Sequence, residues 1–387
     1  MARAYLDHAS TTPPRPAAVA ALAQWATMPT GDPGRLHQEG RIVRDALELA
    51  RGQVADLVHV AGRQVVFTSG ATESVNAAVW GATRAAPGLP VLYAAVEHSA
   101  VRDASERLAP TEDVAVDGTG RLQVDALRER LQSSSLPRPA LVHCQWGNHE
   151  VGTLQPVLDV VALCREAGIT VHVDAAAACG HVPLDLAALD ADLVSISAHK
   201  LGGVPGAGAL IVRRGSRFEP LLVGGEQERG RRAGLEALPA LLAFGAAAAT
   251  LAGGTGGAGG AGGVMAAEAT TARRQIANVV DAALAVQGVA VVGPAGEERL
   301  PQLVCLGVQG VEAEPVLIGL DRAGVAVHSG SACSSESIEP SPVLEAMGVD
   351  SSHSLRISVG WSTTDEDCTE FAREFPRVVA DLRALRS

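Results

Sequence analysis

Residues 170–200 read TVHVDAAAACGHVPLDLAALDADLVSISAHK. Two short apolar runs in this stretch, 170–173 and 193–197, have the length and β-branched content of buried strands. The first stops at Asp174 and the second runs into Ala198-His199-Lys200. Further strand candidates precede them at 65–68, 91–96 and 140–144, and amphipathic helical patterns lie between at 124–132 and 158–167. Strands alternating with helices between about residues 60 and 215 predict a mostly parallel sheet covered on both faces. The Gly-rich stretch 253–263 reads as a linker. Beyond it a helix near 266–286, strands at 289–292 and 303–308, and a last helix from about 365 predict a second, smaller α/β unit.

Composition narrows the function. The chain has 387 residues, 47% hydrophobic and 19% charged, with a net charge of −12 and 3% aromatics. That is enough apolar material for large cores and rules out a disordered chain. A nucleic-acid binder would need a basic field and stacking surfaces, so no direct nucleic-acid partner is expected. The uncharged stretch 237–267 is Ala-rich, holds Pro239 and Gly245, and falls short of the about 20 strongly apolar residues of a membrane span. It is expected to be a buried helix entered at Pro239 and followed by a flexible loop. The first residues, MARAYLDHASTTPP, lack the apolar core of a secretory signal. Cysteines stand at 144, 164, 179, 305, 333 and 368, none in a CxxC pair. Scattered cysteines in apolar surroundings fit buried thiols in a reducing cytoplasm, with no disulfide framework and no metal site.

Ligands of open α/β sheets bind beyond the carboxyl ends of the strands, and polar residues collect there. Ser69-Gly70-Ala71-Thr72 opens a helix whose free N–H groups suit a phosphate, although an ordinary helix start looks the same. Asp174 and Lys200 fit a plain ion pair. They also fit pyridoxal phosphate, which needs a Schiff-base lysine and an acid on its pyridine nitrogen. His98 suits stacking on such a ring and proton transfer near neutrality, or is structural. Cys333 sits among small polar residues, His328-Ser329-Gly330-Ser331-Ala332-Cys333-Ser334-Ser335, where a thiol would be exposed and available as a nucleophile; a free surface cysteine is the alternative. Arg356 suits a bidentate clamp on a carboxylate or a salt bridge between the two units. The run Glu228-Arg229-Gly230-Arg231-Arg232 is expected to be a solvated loop, with an RNA contact the second reading.

Taken in order, several stretches resemble the cysteine desulfurases, pyridoxal-phosphate enzymes of the class V aminotransferase group. They are Tyr5 to Pro13 (YLDHASTTP), 67–74 (FTSGATES), Glu97-His98, Glu150-Val151-Gly152, His172-Val173-Asp174-Ala175, His199-Lys200 and 224–229 (GGEQER). The most specific is 329–335 (SGSACSS), followed by Glu339-Pro340-Ser341, which resembles the members with a long cysteine loop. The resemblance implies a fold-type I architecture. Its large domain, with a mostly parallel seven-stranded sheet, would span 13–250. A small α/β domain would be made of 1–12 and 264–387, with 251–263 as linker.

By the same resemblance, Lys200 would anchor the cofactor and remove the Cα proton of L-cysteine, and Asp174 would pair with the pyridine nitrogen. Ala71, Thr72, Ser197 and His199 would hold the phosphate, His98 would stack on the ring, and Arg356 would bind the substrate carboxylate. Cys333 would take the substrate sulfur as a persulfide, releasing alanine, and hand it to an acceptor protein such as an iron–sulfur scaffold or a thiolation enzyme. A homodimer is expected. The chain departs from the family pattern at His149, where Asn is usual and where the ring's phenolic oxygen would still find a donor. It departs again at Ala177 (usually Gln), at Arg232-Ala233-Gly234-Leu235 (usually Arg-Ser-Gly-Thr) and at Asp32 (usually Asn). Two rival functions share these residues: a selenocysteine lyase or other β-lyase or aminotransferase, and a non-catalytic partner or scaffold protein.

Overall fold

The computed structural model describes residues 3–28, 31–216, 218–253, 263–329 and 340–385. Its strands in chain order are β1 (Ala4–Tyr5), β2 (Val65–Thr68), β3 (Val91–Ala94), β4 (Thr111–Val114), β5 (Leu141–Gln145), β6 (Thr170–Asp174), β7 (Leu193–Ser197) and β8 (Gly208–Val212). They continue with β9 (Val289–Val292), β10 (Leu303–Val308), β11 (Val325–Ala326), β12 (His328–Ser329) and β13 (Ser354–Ser358).

Among the described residues, seven strands form the larger sheet in the order β2-β8-β7-β6-β5-β3-β4. Only β8 runs against the others, pairing antiparallel with β2 and β7. The inner strands are apolar and buried because helices cover both faces. The expected strands at 65–68 and 193–197 and the helix at 124–132 fall at those bounds.

Helix Leu238–Leu251 begins with Pro in its first turn and buries Leu241, Phe244, Ala247 and Ala248. A Cβ on Gly245 would lie 2.7 Å from Ala50 Cα, so glycine is what lets this helix approach its neighbour Gln38–Leu57. No helix among the described residues is long and apolar enough to cross a membrane. Most of the Gly-rich stretch, 254–262, lies outside the described residues, and with it the expectation of a loop there.

The smaller sheet is antiparallel, in the order β12-β13-β10-β9. Helices Val264–Leu284 and Asp365–Ala384 share its core through Ile276, Val279, Phe371 and Phe375. The N-terminal strand β1 pairs parallel with β11, and Asp7 bridges to Ser358. Leu300, Leu303, Val343 and Leu344 pack into the core of the larger sheet instead. The first residues and β13 are therefore brought to the ends of β5, β6 and β7.

Candidate active site

Beyond the carboxyl ends of β2, β5, β6 and β7 lies a cavity of about 650 Å³. Its walls carry Ala71, Thr72, His98, His149, Asp174, Ser197, His199, Lys200 and Arg356. Of the catalytic and cofactor-binding residues expected from the sequence, Cys333 is not among those placed there. It belongs to 330–339, outside the described residues.

Lys200 closes a single 3-10 turn, Ala198–Lys200, that follows β7 directly. Its Nζ donates to the carbonyl of Ser10 at 2.9 Å and to that of Ala9. The N-terminal segment thus reaches across the sheet to hold the amine. His199 Nδ1 bonds Thr11 Oγ1 of the same segment at 3.1 Å. Burial and the charge of Lys200 lower His199 to about 4, so at neutral pH it is an uncharged hydrogen-bonding group.

Asp174 ends β6, where its Oδ1 accepts from Ala176 N at 2.9 Å. Beside it, Glu97 is 1% exposed, and its Oε1 accepts from Gln145 N at 2.6 Å. Burial and then the charge of Asp174 push Glu97 up to about 8. Burial thus favours the neutral form of the Glu97 carboxyl at neutral pH. Gln145 Nε2 and Asn148 Nδ2 both donate to Val96 O, at 2.7 and 3.2 Å. These bonds fix the turn that carries His98. His98 Nδ1 caps helix Ser99–Leu108 by accepting from Ala100 N at 3.0 Å, which leaves the proton of a neutral imidazole on Nε2. The His149 ring meets that of His98 edge to face, with centroids 4.9 Å apart.

Helix Ala71–Ala85 starts at Gly70, which has no side chain to cap it, so the first-turn N–H groups point out of the helix end toward the cavity. A Cβ on Gly208 would lie 2.6 Å from Gly70 Cα, so glycine at 208 lets the turn sit tight against β8. Glu73 accepts from Ser69 N and from Arg232 Nε, each at 2.9 Å. Burial opposes its ionisation, yet the bonds from Arg232 and Ser69 hold its carboxyl below the ordinary value.

Arg356 is 1% exposed. It donates to His149 O at 3.0 Å, Asp7 Oδ1 at 2.9 Å and Ser10 Oγ at 2.7 Å. Its Nε is buried without a hydrogen-bond partner among the described residues. The salt bridge to Asp7 therefore lies within the smaller unit and not between the two as considered from the sequence; the bond to His149 O reaches the larger unit, and the guanidinium still borders the cavity.

The run 228–232 differs from the solvated loop expected. Glu228 is buried and bonds Arg51 at 2.6 and 2.9 Å and Phe67 N at 2.9 Å. Arg229 pairs with Glu48 and Arg232 with Glu73. Acids on other elements neutralise these bases, and a sequence window cannot show them. Sequence reasoning also assigned no role to Glu97, Gln145 or the Ala9 and Ser10 carbonyls, whose only signal was their place in quoted stretches or next to a strand end. Ala177 lines the cavity, and its carbonyl accepts from Gln302 Nε2 at 3.0 Å.

Fold and cavity together define a class of α/β enzyme with its site at the carboxyl edge of a largely parallel sheet, and residues 4–371 match the family model Aminotransferase class-V, a family of pyridoxal-phosphate enzymes. A cysteine desulfurase of Cereibacter sphaeroides is 37% identical over 395 residues, covering 100% of this chain and 98% of that one. Cysteine desulfurase IscS 1 of Archaeoglobus fulgidus is 34% identical over 390 residues, covering 98% of each. A solved NifS-like protein superimposes with a TM-score of 0.88 at 26% identity, covering 98% of this chain and 100% of that one. The chain belongs to the cysteine desulfurases of the class-V aminotransferase family.

Proposed function

We propose that this chain removes sulfur from L-cysteine with pyridoxal phosphate as cofactor, forming L-alanine and a persulfide on Cys333. The observation that carries the reading is the convergence of Lys200, Asp174 and the uncapped start of helix Ala71–Ala85 on one cavity, in a chain related over its full length to cysteine desulfurases.

These residues fit the cofactor. The helix start, with Thr72, Ser197 and His199, offers N–H and hydroxyl donors for a phosphate. Asp174 supplies the acid for the pyridine nitrogen, and His98 offers a ring face. Lys200 supplies the amine, and His149 a donor for the phenolic oxygen. When bound, the cofactor supplies an electron sink for the carbanion at Cα. Lys200 takes the Cα proton of the substrate. Arg356, which borders the cavity, holds the substrate carboxylate. Cys333 thiolate attacks the substrate sulfur, the C–S bond breaks, and a proton is added at Cβ. The Cβ proton balances the one given up by the Cys333 thiol, Lys200 returns its proton to Cα, and the products are alanine and Cys333–S–SH. Burial and the charge of Asp174 favour the neutral form of Glu97, so that carboxyl adds no second charge beside the one that would face the pyridine nitrogen.

We assign residues 13–250 to a cofactor-binding domain and 1–12 with 264–387 to a smaller one, a reading supported by the seven-stranded sheet in the first and the four-stranded sheet in the second. The five described cysteines are buried and unpaired, in keeping with a reducing cytoplasm. Exposed apolar side chains at Leu36, Leu222, Val223 and Leu235 suit a homodimer contact. The persulfide would pass to an iron–sulfur scaffold or a thiolation enzyme.

The test is L-alanine release from L-cysteine by cofactor-loaded protein with a reductant, beside Cys333→Ser. Alanine from the wild type alone supports the proposal. Equal alanine from both would replace it with a lyase that does not use Cys333, and none from either would favour a non-catalytic partner protein.

A further inference from the structure

Glu150 is 1% exposed and makes two contacts that join separate parts of the molecule. Its Oε1 lies 3.5 Å from His149 Nε2, and its Oε2 accepts from Ser341 Oγ at 2.5 Å. The turn beneath is fixed, because Asn148 Oδ1 accepts from both Glu150 N and Val151 N at 2.8 Å. Ser341 is itself 1% exposed and caps helix Pro342–Ala346, whose Val343 and Leu344 are in the core. It does not line the cavity, whereas His149 does.

The place of Ser341 in the chain gives these contacts meaning. It follows 330–339, the stretch that contains Cys333. On the other side of that stretch, β12 pairs with β13 so that His328 stands opposite Arg356, and Arg356 donates to the carbonyl of His149 at 3.0 Å. Both flanks of the Cys333 stretch thus lead within one or two contacts to His149. The ring of His149 in turn rests edge-on against His98.

We propose that Glu150 is a positioning residue that couples the Ser341 flank of the Cys333 stretch to the imidazole of His149. Glu150 sets the ring's orientation in the cavity, and Ser341 sets Glu150. A change at Ser341 is therefore felt at His149 through Glu150. The catalytic meaning of the coupling rests on the desulfurase reading; the coupling itself does not.

The experiment compares wild type, Ser341→Ala, Glu150→Gln and the double variant in full-length protein with labelled histidine. The imidazole nitrogen resonances of His149 are assigned by their loss in His149→Asn. Ser341→Ala is expected to move them, and to move them no further once Glu150→Gln is present. In cofactor-loaded protein, kcat for alanine release should fall by about 10- to 100-fold in each single variant, with KM within about twofold, and the losses should not multiply in the double variant. Melting by circular dichroism separates loss of the helix cap from loss of coupling. If Ser341→Ala lowers the melting temperature and leaves the His149 resonances in place, Ser341 is only a cap and the proposal is wrong. Multiplying losses would also overturn it. Moving resonances in a protein that releases no alanine would uphold the coupling and refute the desulfurase reading instead.

Discussion

Two rows of polar side chains lie on one face of the larger sheet, one residue pair apart along β5, β6 and β7. The outer row is Gln145, Asp174 and Ser197; the inner row is His143, His172 and Ser195. Alternation along each strand, together with the pairings His143↔His172 and Gln145↔Asp174, puts all six on the same side. The inner row is sealed. His143 Nδ1 bonds His172 Nδ1 at 2.8 Å, and His172 Nε2 bonds Ser195 Oγ at 2.7 Å, with all three residues fully buried. Burial lowers His172 to about 4 and His143 well below its ordinary value, so both are uncharged in the folded protein. The outer row instead borders the cavity, beside Glu97, whose carboxyl is pushed up to about 8 by burial and the charge of Asp174. Polar residues in a buried strand are thus not by themselves a site. One step along the strand, toward its carboxyl end, turns a structural network into a chemical one.

Substitutions should separate the rows, and the largest effect belongs to the cavity. Lys200→Ala removes the amine proposed to take the Cα proton, and alanine release should fall by at least about 10²–10⁴-fold with an unchanged melting temperature. Next comes the inner row. His172→Leu leaves His143 and Ser195 each without a buried partner, at about 1–3 kcal/mol apiece, so the midpoint of urea unfolding should fall clearly. Alanine released per folded molecule should stay within roughly threefold of wild type, since the substitution acts on stability. A large loss of turnover without a loss of stability would erase the distinction between the rows.

pH sharpens the same contrast, because the signs are opposite. Buried histidines with lowered values bind fewer protons folded than unfolded, so the stability they contribute is complete above about 6.5 and drains away as pH falls toward 4. Glu97 is raised, so its contribution is complete below about 4.5 and is lost as pH climbs to about 8. Each pH unit in that window is worth at most roughly 1.4 kcal/mol. Glu97→Gln, neutral at every pH, should therefore raise the melting temperature most near pH 8 and little near pH 5. A melting temperature lowered at both pH values would mean that Glu97 is ionised in the fold. The smallest effect is expected at Ala177. Restoring glutamine there adds one hydrogen-bond donor to the cavity wall, and pyridoxal phosphate should bind about twofold to tenfold more tightly, as read by titration of apoprotein.

Much of this was legible in the sequence wherever local pattern and tertiary role agree. The apolar runs at 65–68, 193–197, 289–292 and 303–308 are strands because nothing but a packed sheet accommodates them, and the residues at the strand ends marked the cavity. β4 escaped because Thr111–Val114 is an edge strand carrying Glu112 and Asp113, which reads as a loop. β8 escaped because GALIV is as good a buried helix segment as a strand. Helix Gln38–Leu57 begins after a histidine cap, and its buried positions include Gly40 and Arg51, which blur the apolar period. In the site, Lys200 and Asp174 were visible because their chemistry is rare at strand ends. Glu97 and Glu150 were not, since a buried acid looks like a solvated one until its neighbours are known.

The central claim is that sulfur leaves L-cysteine through Lys200 chemistry and lands on Cys333. Its most direct test is mass spectrometry of the peptide containing Cys333 after cofactor-loaded protein is mixed with limiting L-cysteine and no reductant. The account predicts that this peptide gains the mass of one sulfur atom in the wild type and gains nothing in Lys200→Ala. Sulfur on another cysteine, or on Cys333 in the absence of Lys200, would contradict it.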